Sequence, residues 1–74
     1  MNNDHQEKVE YQAELLTIQH GGKLLLSRKR TAFLLDVSPM TIDRLREDGA
    51  IVSTMVRGQV KFKVMEISRY MVEN

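Results

Sequence analysis

The chain has 74 residues, no cysteine, and a formal net charge of +1 from eleven Lys or Arg and ten Asp or Glu. That length allows one domain with a small core, and the lack of cysteine excludes disulfides and thiolate metal sites. No apolar run approaches the roughly 20 residues needed to span a membrane, and residues 1–5 lack the basic and apolar regions of a secretory signal, so the expected compartment is cytoplasmic. The near-neutral total hides an asymmetry. Residues 1–22 carry Lys8 against Asp4, Glu7, Glu10 and Glu14, a balance of −3, whereas residues 23–74 carry a balance of +4. The split suits a nucleic-acid-binding body of residues 23–74 with an acidic extension over residues 1–22, although ordinary solvated surface would look the same.

Residues 5–20 are mostly good helix formers, and Tyr11, Leu15 and Ile18 recur at i, i+4 and i+7 with Leu16 beside them. This predicts an amphipathic helix, with Asn3 or Asp4 as its cap and Gly21 as its stop. Val9, Tyr11, Ala13 and Leu15 also alternate, so strand is the competing reading, with His20-Gly21-Gly22 as a hairpin turn. The stripe Tyr11, Leu15, Ile18 either enlarges the core of its own domain or forms a self-association or partner surface. Lys23 to Leu26 is then a short apolar lead, with Leu25 or Leu26 packing under the next helix.

Residues 26–49 organise the rest. Ser27 is a suitable N-cap for a first short helix over 27–35, because its hydroxyl can accept from an early backbone N–H. Asp36-Val37 permits a turn. Ser38-Pro39 then opens a second helix over 39–48, since proline at the first helical position lacks an N–H that would be unsatisfied there anyway. Ile42 and Leu45 share one face, and Gly49 can supply the left-handed stop. After Gly49, residues 51–56 are rich in β-branched side chains, Arg57-Gly58 can turn, and residues 59–63 alternate, which reads as a two-stranded hairpin. Val60 and Phe62 face the core; Gln59, Lys61 and Lys63 face out. Residues 64–73 form a closing helix, with Ile67, Tyr70 and Met71 on one face. The fold class is therefore α+β, mainly α: a winged helix-turn-helix with an N-terminal helical extension. The five methionines are most simply core fillers, with Met40 or Met55 partly exposed.

Residues 25–71 resemble the excisionase and MerR-like family of small winged helix DNA-binding domains. The residues that carry the resemblance are Leu25-Leu26-Ser27, Ala32 with Leu35, Val37-Ser38, Thr41-Ile42 with Arg44-Leu45, Gly49, Gly58, and Ile67 with Tyr70-Met71. Some positions depart from the family pattern. Asp36 replaces a usual glycine, tolerable because Asp visits left-handed conformations. Arg30 replaces the Glu of a capping box. Val52 replaces a frequent proline, and Asp43 stands where an aromatic or basic residue is common. Because the sequence ends at Asn74, without the long dimerisation helix of MerR regulators, the expected kinship is with stand-alone excisionases.

The resemblance implies sequence-specific binding of double-stranded DNA by a small phage, plasmid or mobile-element protein, acting as a recombination directionality factor or a transcriptional regulator. Phosphates take Lys and Arg, and base edges confer specificity. The candidate contacts are Arg28, Lys29 and Arg30 at the first helix, and Ser38, Met40, Thr41, Asp43 and Arg44 on the second. Arg57, Lys61 and Lys63 are the candidates in the wing. Arg44 can take guanine bidentately or clamp a phosphate; its bland alternative is an ion pair with Glu47 or Asp48, worth only about 0.3–0.5 kcal/mol. Asp43 can accept from cytosine N4, or instead orient Arg44 or Arg46. Arg46 is expected to pack away from DNA. The basic positions of the hairpin also serve to protect a sheet edge.

A single such domain covers roughly 600–1,000 Å² of protein surface, so useful affinity calls for several protomers on adjacent sites. The partners named by this reading are double-stranded DNA, further copies of the chain, and a recombinase or RNA polymerase, with no membrane and no cofactor. His5 and His20 are far apart, no acid cluster suits a metal, and no catalytic triad assembles, so no enzymatic activity is expected. A reading of a different class is a protein-interaction adaptor that reuses the helix-turn-helix fold without reading DNA.

Overall fold

The computed structural model describes residues 4–74; the candidate Asn3 cap lies outside them. Four helices and a three-stranded antiparallel sheet follow in the order α1 (Asp4–Gln19), β1 (Leu25–Ser27), α2 (Arg28–Leu35), α3 (Pro39–Glu47), β2 (Thr54–Val56), β3 (Gln59–Lys63) and α4 (Val64–Glu73). Residues 9–15 are helical, so the strand alternative for them is not what the chain adopts.

Local chemistry sets most boundaries. The Ser27 hydroxyl accepts from the Arg30 N–H at the start of α2, and the Ser38 hydroxyl accepts from the Thr41 N–H at the start of α3, with Pro39 in the first turn. Both are N-caps that satisfy otherwise orphaned amides. At the end of α3, Gly49 (φ 77°) lets the Ala50 N–H reach the Leu45 carbonyl at 2.8 Å and its own N–H reach the Arg46 carbonyl at 3.1 Å. This is the paired closure of a Schellman motif. Asp36 performs the same closure for α2 at φ 57°, with the Val37 N–H on the Ala32 carbonyl at 3.0 Å. An aspartate thus supplies the left-handed residue where glycine is more usual.

The sheet differs from the two-stranded hairpin expected. β3 is central, and β1 pairs on its far side in register Leu25↔Lys63, Leu26↔Phe62, Ser27↔Lys61. The lead residues are therefore a third strand, too short to show a period by itself. β2 covers only Thr54–Val56, paired Thr54↔Lys61 and Val56↔Gln59. Residues 51–53 are excluded because Ile51 is drawn into the core and the Val52 N–H donates to the Glu66 carboxylate at 2.8 Å instead of to a strand. β1 runs directly into α2 and β3 directly into α4, so the sheet aims both helices.

One core joins these parts: Ala13, Leu16, Leu26, Ala32, Ile42, Ile51, Phe62, Val64 and Ile67, with Leu45, Val60, Tyr70 and Met71 packed around it. Phe62, Ile42 and Ile67 are fully buried. α1 belongs to this core through Ala13 and Leu16, and it lies against α4, where the buried Ser68 hydroxyl donates to the Val9 carbonyl. The inward face is Val9, Ala13, Leu16. Tyr11 (64 % exposed) and Ile18 (70 %) point to solvent, with Leu15 at the margin. The stripe Tyr11, Leu15, Ile18 does not enlarge the core, because a face with the small Ala13 admits a closer approach to α4 than one built on Tyr11. Among the described methionines only Met71 packs against the core; Met40 and Met55 are exposed, and so is Met65, against the expectation that it fills the core.

A second network fastens α4 to the segment after α3. Arg69 donates from Nε and Nη2 to the two oxygens of Glu66 (2.9 and 2.6 Å), from Nη2 to the Ala50 carbonyl (2.8 Å), and from Nη1 to Glu73. Glu73 also meets His5 Nε2 at 2.9 Å, which ties the start of α1 to the end of α4. The Arg69 guanidinium holds the Glu66 carboxyl below its ordinary value of 4.5, more than burial raises it.

Candidate nucleic-acid interface

α3 is pinned by Ile42, fully buried, and Leu45, half-buried. Its opposite face therefore presents Met40, Arg44 and Glu47 to solvent. Among the described residues Arg44 is exposed and its side chain has no hydrogen-bond or ion-pair partner. The intrahelical pairing with Glu47 or Asp48 does not form. At the start of this helix the Thr41 hydroxyl lies 3.0 Å from the Ser38 hydroxyl. Ser38 and Thr41 are thus already engaged with one another in the cap.

Asp43 and Arg28 are joined. Arg28 Nε donates to Asp43 Oδ1 and Nη2 to Oδ2, both at 2.7 Å, in the parallel fork that guanidinium and carboxylate prefer. The hydrogen bonds from Arg28 hold the Asp43 carboxyl below the usual carboxylate range, and they raise Arg28 in turn. Asp43 therefore orients neither Arg44 nor Arg46; it braces the start of α2 against the second turn of α3. Arg46 turns aside, donating from Nε to the Ser53 hydroxyl at 2.9 Å, as expected of a residue that packs away from the open face.

The basic triplet divides three ways. Arg28 is occupied by Asp43. Arg30 lies with its guanidinium carbon 5.8 Å from the centroid of the Phe33 ring, a cation–π contact on the surface of α2. Lys29 is exposed and, among the described residues, has no partner.

In the hairpin, Arg57 (φ 52°) and Gly58 (φ 76°) form the two-residue turn. Positive φ at both central residues is what a type I′ turn needs, and its twist matches that of the strands. Glycine, asparagine or aspartate take this conformation at least cost, so an arginine here holds a charge at the hairpin tip against a backbone preference. Lys61 and Lys63 sit two apart on β3 and so project from the face opposite Phe62, Lys61 half-buried and Lys63 exposed. Among the described residues no group of His, Cys, Asp or Glu could hold a metal ion, and no helix is long and apolar enough to cross a membrane.

Two features went unread in the sequence. One is the Arg28–Asp43 fork, whose members are distant in sequence. The other is the exposed Phe33, whose place in the apolar stretch Ala32-Phe33-Leu34-Leu35 carries no sign of its exposure. Comparison with protein-family models, curated proteins and solved structures finds no match to this chain.

Proposed function

We propose that the chain is a winged helix-turn-helix protein that binds duplex DNA sequence-specifically and without catalysis, α3 being the recognition helix and the β2–β3 hairpin the wing. The observation that carries this reading is Arg44: an unpaired guanidinium on the solvent face of a helix whose other face is locked into the core. A rigid helix that offers a free Arg in its second turn has the geometry for bidentate contact with guanine in the major groove. Arg57 at the wing tip, with Lys61 and Lys63 behind it and Lys29 on α2, provides positive charge for phosphate or the minor groove. Asp43 reads no base in this scheme, since both of its oxygens are taken by Arg28; it sets the angle between α2 and the recognition helix. The resemblance to excisionases supports a role on mobile DNA, in recombination directionality or transcription.

Selection from a randomised duplex pool tests the reading. The wild-type chain should enrich a defined sequence, and Arg44→Ala should abolish the enrichment while leaving the fold intact by circular dichroism. Failure of the wild type to enrich any sequence would overturn it. The adaptor reading draws on a different observation: Glu47 is exposed beside Arg44, and Asp43 consumes Arg28, so the α3 face is less basic than its sequence suggests. Partner binding that is indifferent to salt would favour that alternative.

A further inference from the structure

Two surface features, which share only Lys29 and Lys63 with the DNA reading, complement each other. The first is a groove of about 620 Å³ between the second half of α1, the start of the sheet and the start of α4. Its apolar walls include Ala13, Leu24, Leu25, Val64 and Met65. Leu24 is 68 % exposed there, and Met65 is exposed as well. The α1 wall carries two carboxylates, Glu10 and Glu14, and the sheet side carries one cation, Lys63. The second feature is Phe33 on α2, at 74 % the most exposed large apolar side chain among the described residues. It is flanked one helical turn away by two cations: Lys29 at i−4, and Arg30 at i−3 stacked over its ring.

We infer that the chain associates head to tail with further copies of itself, Phe33 of one copy entering the apolar groove of the next. The ring fills an apolar slot, and the Arg30 and Lys29 cations meet the Glu10 and Glu14 wall. Knob and socket lie on different parts of the surface, since no residue of α2 lines the groove. A two-fold pairing through Phe33 would set the Arg30 and Lys29 of both copies against one another, which is unfavourable. The contact is therefore heterologous, and nothing in it limits the assembly to two copies. One ring and a pair of charges make a weak interface, detectable at high concentration and strengthened wherever copies are held side by side, as on adjacent DNA sites. The contact itself does not depend on DNA binding.

Sedimentation equilibrium without DNA, run up to the solubility limit, provides the test. The wild type should show a weight-average mass that rises with concentration without levelling at the dimer, and the rise should shrink with added salt. Phe33→Ser and Leu24→Glu change exposed side chains, so each should stay folded by circular dichroism, and each should be monomeric alone. Mixed in equal amounts they should associate again and stop at a dimer, because each variant retains the half that the other lacks. Three results would overturn the inference: a wild type that is monomeric throughout, a mixture that stays monomeric, or a wild type that saturates at a dimer. The last would point to a two-fold contact instead, for which the exposed Tyr11 and Ile18 face is the alternative.

Discussion

Arg69 and Arg28 each grip a carboxylate with two nitrogens, Arg69 within and beyond α4 and Arg28 across α2 and α3. Their surroundings differ. The Glu66 side chain is 16 % exposed and its carboxylate also accepts from the Val52 backbone, while Arg69 reaches the Ala50 carbonyl. Removing Glu66 releases the Val52 N–H, and removing Arg69 releases the Ala50 carbonyl, so each tie between α4 and the segment after α3 is lost. Arg28 and Asp43 are 40 % and 37 % exposed and satisfy only each other. Water replaces that pairing readily, so it orients without contributing much stability. The first network builds the fold, whereas the second lies open beside the face that we assign to DNA.

The comparison breaks most sharply at Glu66. Glu66→Ala should cost about 1–2 kcal/mol, because it removes the acceptor that ties down the Val52 N–H and leaves Arg69 without its main partner. Urea unfolding measures this, and Asp43→Ala should move the midpoint far less. A second contrast is in acid. Glu66 and Asp43 both have folded-state values below their ordinary ones of 4.5 and 3.8, so each contributes stability that is present above the ordinary value. That stability is lost as pH falls through the folded value. Urea midpoints from about pH 7 to about pH 2 should therefore drop, and Glu66→Gln should flatten the drop more than Asp43→Asn does.

Much of this fold is legible in the sequence where its cause is local. Ser27, Ser38-Pro39, Gly49 and Gly58 work through their nearest neighbours, and each does in the structure what its residue type implies; Arg57 turns beside Gly58 against its own preference. The tolerance of Asp36 for a left-handed backbone is of the same kind. What escaped the sequence depends on distant partners. β1 is a strand only because β3 has a second edge to offer. On α1, the stripes Val9–Ala13–Leu16 and Tyr11–Leu15–Ile18 have the same spacing, and only contact with α4 decides between them. The candidate site follows the same rule: the outward positions of α3 follow from periodicity and the place of Arg57 from its turn, their proposed part in DNA contact comes from the resemblance, and the capture of Arg28 by Asp43 required the two helices to be packed.

A smaller effect is expected at Arg57. If the arginine is kept at the wing tip for its charge, Arg57→Asn should raise stability by a few tenths to about 1 kcal/mol by relieving the left-handed backbone, while weakening DNA binding. A stability gain with unchanged binding would remove the wing from the interface. The smallest effect on stability is expected for Asp43→Asn, which loosens Arg28; its consequence should appear in binding instead, as a steeper salt dependence from one added cation.

The central claim is that the face of α3 and the wing meet duplex DNA, and its most direct test is the salt dependence of binding to the selected duplex, measured by fluorescence anisotropy between about 50 and 200 mM salt. The wild type should show a steep linear fall of log affinity with log salt. Replacing Lys29, Arg57 or Lys63 by Ala should each lower that slope by about one, and Arg44→Ala should erase the preference for the selected sequence. Binding that does not weaken with salt, or that ignores all four replacements, would contradict the account.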